Sequence, residues 1–213
     1  DFIRDDSNTA ASKAERDVSS FLKTMGFLGI NYDMSLPRAV KILGEDYILA
    51  KKIKGIQADD ICFLQYSMFG RPSLKKLLKK LAFNRRKILL IHDIETLREQ
   101  RGASEIAEEM AVLNQAQCLI VHNDNMKAWL SQNGVQVPMV SLEIFDYAQP
   151  VDLQEVPVQN WKTVVFAGNL DKSGFLRELH TQTPFYLYGL KSDDQSYSEN
   201  LTYCGSKTPT EIP

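Results

Sequence analysis

The sequence predicts an α/β protein built on a doubly wound parallel sheet, and three observations support that prediction. Short apolar runs alternate with longer amphipathic stretches from the first residues to about Leu142, which is the pattern of repeated βαβ units. The apolar runs are continuous, as in strands that helices cover on both faces. Polar residues gather directly after these runs, where open α/β sheets bind their ligands. We therefore expect the functional residues at the strand ends.

The predicted strands are short runs rich in β-branched, aromatic and other apolar residues. The strongest of them are residues 60–66, 87–91 and 118–121. Residues 1–4 are expected to hold the tail of an opening strand. The remaining strands are predicted at residues 27–32, 138–142, 162–167, 185–188 and 201–204.

The predicted helices lie between these strands. Residues 8–25 place Ala14, Val18 and Phe21 at spacings of three and four, so that one apolar stripe runs along an amphipathic helix. The pair Asn133-Gly134 is a typical helix stop. The other helices are predicted at residues 37–53, 72–83, 104–116, 125–133 and 172–180.

The order of these elements predicts two domains. Residues 1–147 form the first, and residues 148–160, which contain two prolines and little periodicity, form a linker. Residues 161–213 begin a second α/β unit with a new buried strand. That unit reaches Pro213 before its sheet could close, so a truncated second domain is expected.

The composition favours a cytoplasmic protein without a metal or nucleic-acid site. The formal net charge is -2 and hydrophobic residues make up 44% of the chain, so no electrostatic argument favours DNA or RNA as a partner. No apolar run approaches the roughly 20 residues of a membrane-spanning helix, and the acidic start argues against a signal peptide. The three cysteines (Cys62, Cys118 and Cys204) lack the paired spacing of metal sites and are expected to be buried thiols in a reducing compartment.

Three candidate loops follow strands or precede helices in the first domain. Residues 5–9 come before the long opening helix, whose N-terminus could hold a phosphate or a sugar hydroxyl. Gln65 and Tyr66 end a strand and offer hydrogen bonds and an aromatic face, as carbohydrate sites often do. His92 and Asp93 directly follow another strand, and a carboxylate beside a histidine suits acid–base chemistry.

A fourth candidate loop, residues 167–173, lies between a strand and a helix of the second domain. Gly168 permits close approach of a ligand to the backbone, while Asn169, Lys172 and Ser173 could hold a diphosphate. The loop lacks the full P-loop pattern. All four loops also have plain structural interpretations as helix caps, loop ends, a satisfied histidine or a simple βα turn.

Several segments together resemble a known family. They are IHDIETLR, CLIVHNDNMKAWLSQNGV, LEIFDY and VVFAGNLDKSGFL. They resemble bacterial glycosyltransferases of the GT-B fold, above all the β-1,6-galactofuranosyltransferase-like proteins and the related glucosyltransferases that extend sugars on streptococcal serine-rich adhesins. The resemblance covers most of the chain, from Asp5 to Pro213.

The resemblance implies a GT-B-type α/β fold with two Rossmann-like lobes, each on a parallel sheet, the second of them truncated here. The C-terminal lobe would bind the nucleotide-sugar donor and the N-terminal lobe the acceptor. The implied assignments place Gly168, Asn169, Lys172 and Ser173 at the donor diphosphate. They place Asn8, Thr9, Gln65, Tyr66, His92 and Asp93 on the acceptor or sugar side.

The function that follows is transfer of a hexose, galactofuranose or glucose, from a UDP-sugar to a glycan or glycoprotein acceptor. The resemblance also implies that no metal or other cofactor is needed, and positive side chains and helix N-termini can stabilise the leaving diphosphate instead. An inverting reaction needs a base, for which Asp93 is the first candidate and His92 the second. The resemblance also implies self-association into a homo-oligomer and is compatible with peripheral membrane contact.

Two alternatives remain at the level of the sequence. The first is a noncatalytic nucleotide- or sugar-binding module of the same fold, because the donor lobe is incomplete. The second is an epimerase or dehydrogenase that uses NAD. The absence of a Gly-x-Gly-x-x-Gly fingerprint argues against this second alternative.

Overall fold

The computed structural model describes residues 2–3, 10–30, 32–33, 38–66, 70–143, 162–192 and 194–207. The chain divides into two compact units, Asp1–Tyr147 and Ala148–Pro213. The predicted linker, residues 148–160, lies outside the described residues, as do residues 5–9 of the opening candidate loop. Among the described residues no helix is both long enough and apolar enough to cross a bilayer.

The described residues of the first unit form six strands, which are β1 (Phe2–Ile3), β2 (Tyr32–Asp33), β3 (Cys62–Tyr66), β4 (Lys87–Ile91), β5 (Cys118–Val121) and β6 (Met139–Ser141). Four of them form a parallel sheet in the order β3-β4-β5-β6. The short strands β1 and β2 form a separate parallel pair. The prediction of an α/β fold with parallel sheets is confirmed.

Among the described residues of the first unit, six helices connect these strands. Five of them lie close to their predicted positions, and the one-turn helix at Glu95–Arg98 was not predicted. The last of the six begins after Asn123, whose side chain accepts a hydrogen bond from the Met126 amide. It ends before Gly134, which has a φ of 102°, as the Asn-Gly signal predicts. The helices are α1 (Ala10–Thr24), α2 (Arg38–Lys52), α3 (Gly70–Lys80), α4 (Glu95–Arg98), α5 (Ala103–Leu113) and α6 (Asp124–Gln132).

The core of the first unit lies on the two middle strands. Leu89 and Ile91 of β4 and Leu119 and Val121 of β5 are fully buried. Helices cover them with leucines, because each helix turns one apolar stripe toward the sheet. These leucines include Leu74, Leu78, Leu113 and Leu130.

The second unit has a parallel sheet of three strands in sequence order. The strands are β7 (Val164–Ala167), β8 (Phe185–Tyr188) and β9 (Leu201–Tyr203). A 3-10 turn, Leu170–Lys172, and a short helix, α7 (Phe175–Glu178), follow β7. The small core of this unit consists of leucines from the turn, the helix and two strands, namely Leu170, Leu176, Leu187 and Leu201.

Two predicted elements were wrong in extent. Residues 27–30 form no strand, and among the described residues of this stretch Tyr32 and Asp33 are extended and paired. Leu28 is 94% exposed, so that apolar run is not a buried strand. The helix predicted at residues 172–180 is reduced to α7, because the side chain of Asn169 caps the Lys172 amide and the chain first makes a 3-10 turn.

Candidate functional site

The carboxyl ends of β3, β4 and β5 bring three polar side chains together. Gln65 lies near the end of β3, His92 directly follows β4, and His122 directly follows β5. The Nε2 atom of His92 is 2.7 Å from Oε1 of Gln65. The ring centroids of the two histidines are 6.2 Å apart. Sequence reasoning had expected Gln65 and His92 at strand ends, and the parallel register places them side by side.

Helix α1 holds the side chain of Gln65 from the other side. The Nε2 group of Gln65 donates to the Glu15 carbonyl oxygen at 3.3 Å and to Ser19 Oγ at 3.1 Å. Gln65 is itself buried. One amide side chain therefore joins α1, β3 and the loop after β4.

His92 is an uncharged imidazole at neutral pH. Burial, the larger cause, and the neighbouring His122 together lower its pKa to about 4. Loss of hydration disfavours the charged form of a buried imidazole. At pH 7 His92 can donate and accept hydrogen bonds, but it is a weak proton acceptor.

Asp93 is partly exposed and bound within its own loop. Its Oδ1 accepts from the Ile94 amide at 2.8 Å, and its Oδ2 lies 3.0 Å from Nη1 of Arg98. The one-turn helix α4 brings Arg98 back to Asp93. The ion pairs of Arg98 are with Asp93 and Glu99.

A buried carboxylate that sequence reasoning missed fixes this loop. Glu109 of α5 is fully buried. Its oxygens accept from the amides of Glu95 and Thr96 at 3.0 and 2.9 Å, and also from the hydroxyls of Thr96 and Tyr66. A glutamate beside the apolar residues Met110 and Leu113 was the only signal in the sequence, because its partners lie on other elements.

The position of Tyr66 differs from the prediction. Its side chain is fully buried and its hydroxyl donates to Glu109. The aromatic ring packs in the core between the sheet and the helices, so it offers no face to a sugar. Tyr66 faces opposite to Gln65, as consecutive residues of a strand must.

A cavity of about 770 Å³ runs beside β3. Gln65 and Ser19 line it, together with residues 25–30 and the C-terminal turns of α1 and α2. Most of the residues that line the cavity are apolar, and they include Leu22, Leu49, Leu77 and Leu81. Gln65 thus contacts both this cavity and His92.

In the second unit the predicted loop forms a compact turn after β7. The Asn169 side chain accepts from the Lys172 amide at 3.3 Å, and Ser173 Oγ donates to the Asn169 carbonyl oxygen at 3.1 Å. The side chain of Lys172 is exposed. The structure thus brings Gly168, Asn169, Lys172 and Ser173 into one turn.

Glycine also follows the other two strands of this sheet. Gly189 has a φ of +140°, and a Cβ placed on it would lie 1.7 Å from the carbonyl oxygen of Gly168. The Gly189 amide donates to the carbonyl oxygen of Gly205 at 3.0 Å. Sequence reasoning missed this pattern, although the segments VVFAG, FYLYG and LTYCG show it.

The remaining expected features concern metal sites, cysteines and the opening loop. Within the described parts of the chain no group of three or more His, Cys, Asp or Glu side chains is placed to hold a metal ion. Cys62 is buried, as expected, whereas Cys118 and Cys204 are half-buried; all three are free thiols. Asn8 and Thr9 lie outside the described residues.

Two family models match the chain. The model of the glucosyltransferase 3-like N-terminal domain matches residues 1–144, and that of the glucosyltransferase 3-like C-terminal domain matches residues 164–213. The chain belongs to the glucosyltransferase 3-like family. The family resemblance drawn from the sequence motifs is confirmed.

Two curated relatives of this glucosyltransferase 3-like chain are glycosyltransferases. Glucosyltransferase 3 of Streptococcus gordonii is 23% identical over 209 residues, which cover 93% of this chain and 60% of that protein. A β-1,6-galactofuranosyltransferase of Escherichia coli is 27% identical over 124 residues, 58% of this chain and 36% of that protein. The chain therefore spans about three fifths of the length of the first relative and about one third of the second.

The two candidate sites of this glucosyltransferase 3-like chain fall in different family domains. The cluster of Gln65, His92 and His122 lies in the region matched by the N-terminal domain model. The turn at Asn169 and the glycines after β7, β8 and β9 lie in the region matched by the C-terminal domain model. Each domain thus has its candidate residues at the carboxyl ends of a parallel sheet, where α/β proteins bind ligands.

Proposed function

We propose that this chain is part of a hexosyltransferase that moves galactofuranose or glucose from a UDP-sugar to a glycan or glycoprotein acceptor. The family membership supports glycosyl transfer. The observation that carries the assignment of sites is that both parallel sheets end in groups suited to a sugar nucleotide or a sugar hydroxyl. We further propose the two-lobe GT-B arrangement, a cytoplasmic location with peripheral membrane contact, and a homo-oligomer.

The donor diphosphate is proposed to bind the turn after β7. Lys172 supplies an exposed positive charge, and the side chain of Asn169 orders the turn. Gly168 has no side chain, so phosphate oxygens can approach its backbone closely. These features would offset the charge of the leaving UDP without a metal ion.

The acceptor is proposed to bind at the strand ends of the first unit, where Asp93 acts as base in an inverting transfer. Its side chain is 40% exposed, so an acceptor hydroxyl can reach it. His92 is a poorer base, because its pKa of about 4 leaves little driving force for taking a proton at pH 7. His92 would instead hydrogen-bond the acceptor or the transferred sugar. Gln65 would lie behind it, and Asn8 and Thr9 are proposed to face the same sugar.

The decisive experiment replaces Asp93 with Asn in the full-length enzyme and measures transfer from a panel of UDP-sugars. Transfer should fall by a factor of about 100 or more while UDP binding stays unchanged, since general base catalysis is worth roughly 10²–10⁴ in rate. Asp46→Asn is the matched control, because Asp46 pairs with Lys80 at the surface. Normal turnover by Asp93→Asn would refute the proposed base, and transfer abolished by EDTA would refute independence from metal.

One observation favours a second candidate, a noncatalytic nucleotide- or sugar-binding module. The proposed base, Asp93, already accepts two hydrogen bonds from its own loop, one of them in an ion pair with Arg98. UDP binding without turnover of any UDP-sugar by the full-length protein would support this candidate. Turnover would exclude it.

A further inference from the structure

The environment of Gln65 determines which way its side-chain amide points. The carbonyl oxygen of Glu15 can only accept a hydrogen bond, so the Gln65 atom 3.3 Å from it must be the NH₂ nitrogen. The same nitrogen donates to Ser19 Oγ. The amide oxygen, Oε1, is therefore turned toward His92.

The orientation of this amide determines the protonation of the histidine. Oε1 of Gln65 only accepts hydrogen bonds, and Nε2 of His92 lies 2.7 Å from it. A hydrogen bond at that distance requires a hydrogen on Nε2. In the neutral imidazole the other nitrogen, Nδ1, then carries the lone pair and acts as the acceptor.

We infer that Gln65, held by α1, is a positioning residue that fixes His92 as the Nε2–H tautomer, so that Nδ1 is the nitrogen that carries the lone pair. This inference deepens the proposed function, because it concerns the same site. Gln65 was predicted to contact the acceptor or sugar directly. Its amide nitrogen and oxygen instead form hydrogen bonds with other groups of the protein. Gln65 acts on the acceptor side through His92.

The opposite hydrogen-bonding capacities of glutamate and lysine provide the test. A glutamate at position 65 can only accept, so Gln65→Glu should keep the Nε2–H tautomer. It should also raise the pKa of His92 by about 1–3 units, because a carboxylate stabilises the imidazolium. A lysine can only donate, so Gln65→Lys should move the hydrogen to Nδ1. The matched controls are Gln117→Glu and Gln117→Lys, which make the same charge changes at an exposed glutamine.

The measurement is ¹⁵N–¹H correlation NMR of the histidine rings of the 213-residue chain at neutral pH, with a pH titration. The parent and both Gln117 variants should show a protonated Nε2 and an unprotonated Nδ1 on His92. A parent protein with the hydrogen on Nδ1 would overturn the inference. So would a folded Gln65→Lys variant that keeps the tautomer and pKa of the parent.

If Gln65→Lys does not fold, the pH titration of Gln65→Glu provides the test instead. An unchanged pKa of His92 in that variant would overturn the inference.

Activity of the full-length enzyme separates this inference from the proposed function. In the full-length enzyme, a tautomer switch should lower kcat at least tenfold with little change in the KM for the UDP-sugar. Unchanged transfer with a switched tautomer would contradict the role of His92 in transfer and leave the tautomer assignment intact.

Discussion

The strand ends of the first unit carry polar side chains held by buried acceptors, whereas those of the second unit carry glycines. In the first unit Glu109 and Gln65 receive hydrogen bonds from the loop after β4. In the second unit Gly168, Gly189 and Gly205 follow neighbouring strands, and their backbones touch. A substitution among the side chains of the first unit removes individual hydrogen bonds. At the closely packed glycine backbone of the second unit, any added side chain would clash. The two units should therefore respond differently to substitution.

The largest effect is expected from Gly189→Ala. The new Cβ would lie 1.7 Å from the Gly168 carbonyl oxygen, on a residue with a φ of +140°. The second unit should lose more than about 4 kcal/mol of stability and fail to fold. Proteolysis and NMR would show this as cleavage within residues 164–207 with the first unit intact.

Gly174→Ala is the matched control within the second unit. Nothing lies within 4 Å of a Cβ at Gly174, and its φ of -54° suits alanine. This variant should be neutral or more stable by about 0.4–1 kcal/mol. If both alanine variants fold equally well, the close backbone contact in this unit does not exist.

The next largest effect is expected from Glu109→Leu in the first unit. The substitution removes the acceptors of two amides and two hydroxyls in a buried place. Urea unfolding should show a loss of about 3–5 kcal/mol. Glu108→Leu, next in the chain, breaks only an exposed ion pair with Lys75 and should change stability by less than about 1 kcal/mol. Equal losses would mean that Glu109 does not hold the loop.

A smaller effect is expected from acid acting on His92. The pKa of His92 is about 4 in the folded chain, whereas an imidazole has its ordinary pKa of 6.5 in the unfolded chain. As the pH falls, His92 is therefore protonated in the unfolded state before it is protonated in the folded state. The stability contributed by the neutral imidazole is complete above pH 6.5 and is lost as the pH falls toward 4. The loss should be roughly 2–3 kcal/mol.

Replacing the imidazole isolates this contribution. Urea unfolding at several pH values should show a weaker dependence between pH 6.5 and 4 for His92→Asn than for the parent. His180→Asn is the control, because His180 is an exposed histidine. Identical pH dependence in the parent and His92→Asn would show that His92 is not buried as a neutral group.

The sequence predicted most strands because they coincide with continuous apolar runs. Burial was predicted less well, because the strand expected to be buried at residues 162–167 is mostly exposed in β7. Residues 87–91, 118–121 and 185–188 are strands with the predicted bounds, since each is a continuous apolar run. The run predicted at residues 27–32 is also largely apolar, but residues 27–30 line a cavity, so composition alone misplaced them.

Candidate site residues were predictable from the sequence only where they lie at the end of a predicted strand. Gln65 and His92 were found because both lie at strand ends. Glu109 was missed because its partner Tyr66 is 43 residues away in the sequence. Hydrogen bonds between separate elements produce no periodic pattern that a single sequence could show. Gly189 was missed because its requirement for glycine comes from the carbonyl oxygen of Gly168, on a neighbouring strand end.

The smallest effects come from two asparagine caps, one in each unit, and they separate stability from binding. Asn123 caps the nine-residue helix α6, so Asn123→Ala should cost about 1 kcal/mol and leave UDP binding unchanged. Asn169 caps only an exposed 3-10 turn, so Asn169→Ala should cost less stability. The same change should weaken UDP binding to the full-length enzyme several-fold, because it disorders the turn that carries Lys172. Calorimetric titration with UDP tests this prediction. Equal UDP affinity of Asn123→Ala and Asn169→Ala would show that the turn after β7 is not part of the donor site.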